Sequence, residues 1–125
     1  MKIIESSFRK KDFTCKCCGK GKFDARLFFF LEELRKLAIK YELTSAFRCK
    51  KHNDETPGSS KTSQHLSGLA VDIKFDTDDN ELLGAITGML AADEWNLHHI
   101  NYPWGLHIDT RHQVSHCVDI LPYLD

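Results

Sequence analysis

The sequence predicts an α+β domain, a small antiparallel sheet packed against two main helices. Two stretches carry apolar residues at helical spacing, four short stretches read as strands, and the two kinds are mixed along the chain. That order lacks the regular strand–helix alternation of a parallel sheet, so an antiparallel sheet with helices beside it is expected. With 125 residues, one core and one domain (1–125) are expected.

Residues 1–23 are polar and lysine-rich, with turns marked by Gly19 and Gly21. A helix is predicted from Asp24 to Tyr41. Asp24 supplies the cap, and Leu27, Phe28, Leu31, Leu34, Leu37, Ala38 and Tyr41 form the apolar stripe. Glu32, Glu33, Arg35, Lys36 and Lys40 lie on its solvated face. Leu43 to Phe47 is a short strand, and 48–64, polar with Pro57-Gly58, is a long loop of the functional kind. Gly68 to Phe75 alternates apolar and polar and is a second strand. Asp78 to Ala92 is the second helix, capped by Asp78 or Asp79. Strands at 97–101 and 105–110 follow, joined by a turn at Tyr102-Pro103-Trp104-Gly105, and 111–125 is a closing tail.

The formal net charge is -1, so no global basic field points to nucleic acid, and Arg9-Lys10-Lys11 reads as solvated surface. No apolar run could span a bilayer, and MKIIESSFRKKDF lacks the apolar stretch of a secretory signal. Synthesis and residence in the cytoplasm are therefore expected, without a membrane partner. A monomer is expected.

Five cysteines are many for such a chain, and an odd number leaves at least one outside any internal disulfide. Cys15, Cys17 and Cys18 crowd together, while Cys49 and Cys117 stand alone. A reducing compartment favours thiols or metal ligands. Cys15, Cys17, Cys18 and Cys49 are open to two readings, a structural zinc site or a disulfide. The C-x-C-C run does not match the usual C-x-x-C hairpin knuckle. Cys117 reads as an unpaired thiol.

Two segments carry the chemistry. In SQHLSGLAVDI (63–73), His65 precedes a strand and Asp72 lies in it, and Gly68 permits a tight turn between them. In GLHIDTR (105–111), His107 and Asp109 are two apart on a strand and share a face. Imidazole and carboxylate are both zinc ligands, and three ligands with an open fourth position is a catalytic arrangement. Spacing alone leaves the ordinary alternative open, in which these side chains only satisfy hydrogen bonds near the sheet.

Ser63, His65, Gly68, Ala70 and Asp72 form S-x-H-x-x-G-x-A-x-D, which resembles the signature of zinc peptidases that cut peptidoglycan stem peptides. That family contains D-Ala-D-Ala carboxypeptidases and phage L-Ala-D-Glu endopeptidases, and shares its fold with the hedgehog signalling domain. TSAFRC (44–49) is similar to the family's S-G-Y-R segment, and YPWGLHIDTR (102–111) to its Y-P-x-x-x-H-x-D-x-R ending. FTCKCCG (13–19) is similar to a cysteine-rich entry of one phage-like branch. The resemblance covers nearly the whole chain in order, with 1–23 as a cysteine-containing N-terminal segment.

It implies zinc on His65, Asp72 and His107, and a peptide substrate from peptidoglycan gripped at a carboxylate by Arg48. Ser63 would position His65 or touch substrate, and Trp104 would line the cleft. Trp95 and the Phe28-Phe29-Phe30 run are open to reading as sugar or partner platforms, with core packing expected for most of them. Several members of the family place Glu or Asp three residues before the last ligand, as the general base. Here Trp104 stands there and cannot take a proton. Asp109 is the first alternative, with a positioning role for a ligand histidine as its rival reading. His99 or His98 comes next. His52, His112 and His116 read as solvated.

The expected function is zinc-dependent hydrolysis in peptidoglycan, as a phage or prophage endolysin made in the cytoplasm of the infected cell and acting on the wall after release. The rival is a zinc-containing wall-binding module of weak or no activity, favoured by the missing acid at 104.

Overall fold

The computed structural model describes residues 4–59, 63–113 and 116–125. Residues 60–62 of the expected loop and 114–115 of the expected tail lie outside the described residues, as do 1–3.

Four strands form one antiparallel sheet: β1 (Tyr41–Ser45), β2 (Ala70–Phe75), β3 (His98–Tyr102) and β4 (Gly105–Asp109). Their spatial order is β1-β2-β4-β3. The helices are α1 (Ala25–Lys36), α2 (Lys50–Glu55) and α3 (Asn80–Trp95). No helix among the described residues is long and apolar enough to cross a membrane.

The period of two along the strands divides the sheet into two different faces. Val71, Ile73 and Phe75 of β2 join Leu106 and Ile108 of β4 in the core, where α1 buries Leu27, Phe28, Phe30, Leu31 and Leu34. α3 lies against β3 and β4 on this face. Gly88 lets it approach closely, since a Cβ there would sit 2.5 Å from the His99 ring. The alternate residues Asp72, His107 and Asp109 point the other way, toward the chain between β1 and β2. Asp72 pairs with His107 across the two central strands.

α1 begins where the cap was expected, with Asp24 accepting the Arg26 N–H at 2.9 Å. It ends earlier than expected. Ala38 turns the chain with φ 62, and Tyr41 opens β1 instead of closing the helix. The reason is visible in the packing. The Tyr41 hydroxyl donates to the Leu31 carbonyl at 2.8 Å, so Tyr41 keeps the position on α1 that helical spacing assigned it, from outside the helix. α3 starts at Asn80 with Asp79 as its cap, accepting from Leu82 N–H, and runs to Trp95, three residues past the expected end.

Two further expectations are corrected. The loop after β1 contains a short helix, α2, capped by Cys49. The N-terminal segment, read as polar, buries Phe8, Phe13 and Phe23 against Phe28. Phe13 and Phe23 stack with centroids 4.3 Å apart, and the Arg35 guanidinium covers Phe8 at 4.0 Å. Each such ring is worth about 1.5–3 kcal/mol of burial, so lysines conceal a firmly held segment.

Candidate metal centre

His65 sits in a short 3-10 turn, Gln64–Ser67, between α2 and β2. Ser63 starts the turn by accepting the His65 N–H at 3.2 Å. Gly68 ends it in the left-handed region, φ 71, donating to the carbonyls of Gln64 and His65. A Cβ on Gly68 would also lie 2.6 Å from the Lys22 carbonyl oxygen, so the motif glycine is required twice over. The His65 ring is 2% exposed. Its Nδ1 lies 2.7 Å from the Ala46 carbonyl, which can only accept. That bond places the proton on Nδ1 and leaves Nε2 with its lone pair toward Asp72, whose Oδ2 is 3.3 Å away.

The His107 ring lies between two carboxylates. Nδ1 is 2.7 Å from Asp72 Oδ1, and Nε2 is 2.8 Å from Asp109 Oδ2. Burial works against a charged imidazole here, but the hydrogen bonds to Asp109 and Asp72 outweigh it and raise the pKa to about 9. Burial likewise opposes the Asp72 carboxylate, yet the hydrogen bond from His107, with the His65 ring close by, holds it down at about 2.

Asp109 is fully buried and saturated with donors. Arg111 gives it its backbone N–H at 2.9 Å and its guanidinium at 2.9 and 3.1 Å, and His98 Nδ1 approaches to 3.2 Å. These bonds outweigh burial and hold its carboxyl far below the usual range. It meets His107 on the ring edge away from Asp72. The structure therefore does not bring Asp109 to the side where His65, Asp72 and His107 converge. Nor does it bring His99 there. His99 lies on the α3 face of β3, opposite Ile108, and its neighbour His98 takes the face of His107. His98 packs edge-on against His112.

Above the triad lies a cleft of about 780 Å³ lined by Arg48, Ser63, His65, Asp72, Trp104 and Arg111 among others. Asp72 is the only carboxylate among the described residues that line it. Trp104 is half exposed and stacks on Tyr102 at 5.0 Å, forming one wall. Arg48 is 9% exposed. Its backbone N–H donates to the His65 carbonyl, its Nη2 reaches Ser63 Oγ only at 3.4 Å, and its buried Nε has no hydrogen-bond partner among the described residues. Burial lowers its pKa, and the charge of Asp72 partly offsets this. Arg111 was not singled out in the sequence, although the quoted H-x-D-x-R ending contained the signal.

One ligand atom from each of His65, Asp72 and His107 lies within 4.8 Å of the others. A tetrahedral zinc with bonds of about 2.0 Å sets its donors about 3.3 Å apart. The His65–Asp72 separation of 3.3 Å fits this, and the shorter His107–Asp72 distance is that of a proton held where the metal would be. Both imidazoles have their remaining nitrogen fixed by an acceptor, as metal-binding histidines commonly do. The donor set suits zinc with an open position facing the cleft.

A histidine from the turn before β2, with a carboxylate and a second histidine from the sheet, all under an open cleft, is the donor set of a hydrolytic metal centre. The Peptidase M15 family model matches residues 4–109, and the chain belongs to that family. It is a metallopeptidase, and peptidases of this family depend on zinc. No curated protein and no solved structure matches the chain.

Proposed function

We propose that this metallopeptidase hydrolyses a peptide bond in the stem peptides of bacterial peptidoglycan, at a D-Ala-D-Ala or L-Ala-D-Glu linkage. The observation that carries the reading is Arg48. A buried guanidinium with an unpartnered Nε, opening into the same cleft as the triad, costs about 1–3 kcal/mol unless a ligand completes it. A carboxylate is the complementary partner, since it can accept two parallel N–H bonds. Stem peptides carry free carboxylates close to their scissile amides.

His65, Asp72 and His107 would hold zinc, whose contribution when bound is to activate water and polarise the amide carbonyl. The chain's own residues do the rest. Asp109 holds the Nε2 proton of His107 and so keeps Nδ1 directed at Asp72. Ala46 does the same for His65 from the opposite ring edge. Asp109 is thus a positioning residue. Arg48 binds the substrate carboxylate, and Ser63 couples the two halves by capping His65 and receiving Arg48. Trp104 and Tyr102 border the peptide.

Digestion of purified sacculi, with muropeptides read by mass spectrometry, tests this. Loss of a terminal D-Ala or a cut between L-Ala and D-Glu is expected with zinc and is abolished by a chelator. Intact muropeptides after incubation with the zinc-loaded protein would overturn the substrate.

A further inference from the structure

The four cysteines left out of that reading converge. One sulfur each from Cys15, Cys17, Cys18 and Cys49 lies within 4.8 Å of the others. Cys15 and Cys17 are 3.3 Å apart, Cys15 and Cys49 3.6 Å, and Cys17 and Cys49 3.1 Å. A zinc ion with four sulfurs at about 2.3 Å would set them about 3.8 Å apart. All four are free thiols. A disulfide would engage two of them and leave two sulfurs crowded against it. A cation at the centre engages all four.

The backbone is formed for such a site. A bridge between Thr14 and Gly21 closes a hairpin, Cys15 N–H donates to the Lys20 carbonyl at 2.7 Å, and Gly19 N–H donates to the Cys15 carbonyl at 2.8 Å. Across that tip, Cys15 and Cys18 stand in C-x-x-C spacing followed by Gly19, with Cys17 as an added ligand. The C-x-C-C run therefore contains the knuckle step that it was read as lacking. Cys49 arrives from a segment far along the chain, and its Sγ accepts the His52 N–H at 3.4 Å. Hydrogen bonds to sulfur of this kind orient and stabilise a coordinating thiolate. Cys15 is buried at the inner side, and Cys17 and Cys18 close the outer side.

We propose that Cys15, Cys17, Cys18 and Cys49 bind a second zinc ion, a closed four-thiolate structural site that fastens the N-terminal hairpin to the segment carrying Arg48. Binding releases the thiol protons to solvent and involves no redox change. The site does for this segment what a larger core would do otherwise. Cys49 directly follows Arg48, so the clamp fixes the Arg48 backbone on one side while the Arg48 N–H···His65 bond fixes it on the other.

Metal analysis of the full chain, purified under reducing conditions and supplied with zinc, is expected to give two zinc ions per molecule. Cys17→Ser or Cys18→Ser, at exposed positions, leaves one, and so does His65→Ala. With cobalt in place of zinc, the thiolate-to-cobalt charge-transfer absorption in the near ultraviolet disappears in the cysteine variants and persists in His65→Ala. This separates the two sites. If His65→Ala lost no metal while the cysteine variants lost one, the catalytic reading would fall and the clamp would stand. A single zinc in the parent chain, with no thiolate–cobalt band, would overturn the clamp. So would a mass two units low from a disulfide among the four cysteines in protein kept under reductant.

Discussion

His107 Nε2 lies 2.8 Å from the buried carboxylate of Asp109, and this contact decides which ring nitrogen faces Asp72. Asp109 is in turn held by Arg111. Removing the carboxylate frees the ring to rotate or change tautomer. Asp109→Ala is expected to weaken zinc binding about 10–100-fold, with activity recovered in part at high zinc. A competition titration against a chelator reads the affinity. A variant with parental affinity and no activity would instead mark Asp109 as acting on substrate.

Removal of a ligand has a larger effect than removal of its support. His65→Ala or Asp72→Ala is expected to abolish both binding at this site and muropeptide cleavage. Asp72 contacts both histidines, so its loss also leaves two imidazoles with an unfilled partner. Cleavage at the parental rate by either variant, with the metal at this site gone, would exclude zinc from the reaction.

Two opposed titrations govern the metal-free protein. His107 is raised from its ordinary 6.5 to about 9, so its contribution to stability is complete below 6.5 and is lost as pH rises through about 9. Asp72 is lowered from 3.8 to about 2, so its contribution is present above 3.8 and is lost as pH falls through about 2. Thermal unfolding of the metal-free chain is expected to show its highest midpoint between those ranges, with a decline on the alkaline side from His107. At neutral pH zinc must displace the His107 proton. Zinc affinity is expected to rise by up to about tenfold per pH unit toward pH 9 from this group alone. Calorimetry in buffers of different ionisation enthalpy reads the released proton.

Arg48 separates charge from geometry. Lysine keeps the charge and loses the planar fork, so Arg48→Lys is expected to raise KM with a modest loss in kcat, and Arg48→Ala to cost more in KM. A buried hydrogen bond to a charged group is worth about 1.5–3 kcal/mol, or roughly 10–150-fold in kcat/KM. Because the alanine variant also removes an unpartnered buried donor, its unfolding midpoint need not fall with its activity. Equal loss in both would point to a packing role.

Patterning made the sheet and the triad legible. Gly68 to Phe75 and 105–110 were legible because the core residues Val71, Ile73, Leu106 and Ile108 alternate with polar ones on the other face, and that alternation put Asp72 and His107 on the same side. What the sequence concealed depended on contacts between distant segments. Tyr41 keeps helical spacing while lying in a strand, because its hydroxyl reaches back to Leu31. Phe8 and Phe13 are isolated among lysines, and only their packing on Phe28 identifies them as core. Asp109 and His107 share a strand face, which suggested a joint catalytic role. Their relative depth, with Asp109 fully buried under Arg111, has no linear signature. Adjacent His98 and His99 point to opposite faces, and register alone decides which goes where.

That last division gives a direct test. The His99 ring fills the space above Gly88, where an added Cβ would lie 2.5 Å from one ring carbon and 2.7 Å from Nε2. Burial, together with the charge of His98, lowers the His99 pKa and favours the neutral ring at this contact. Gly88→Ala must displace the ring or push α3 off β3, at a cost of about 1–3 kcal/mol. The expected result is a lower unfolding midpoint with kcat per folded molecule unchanged, because the displaced ring lies across the sheet from the triad. His99→Phe is expected to behave in the same way, and its pH–rate profile to coincide with that of the parent. Loss of one limb of that profile in His99→Phe would return His99 to the reaction.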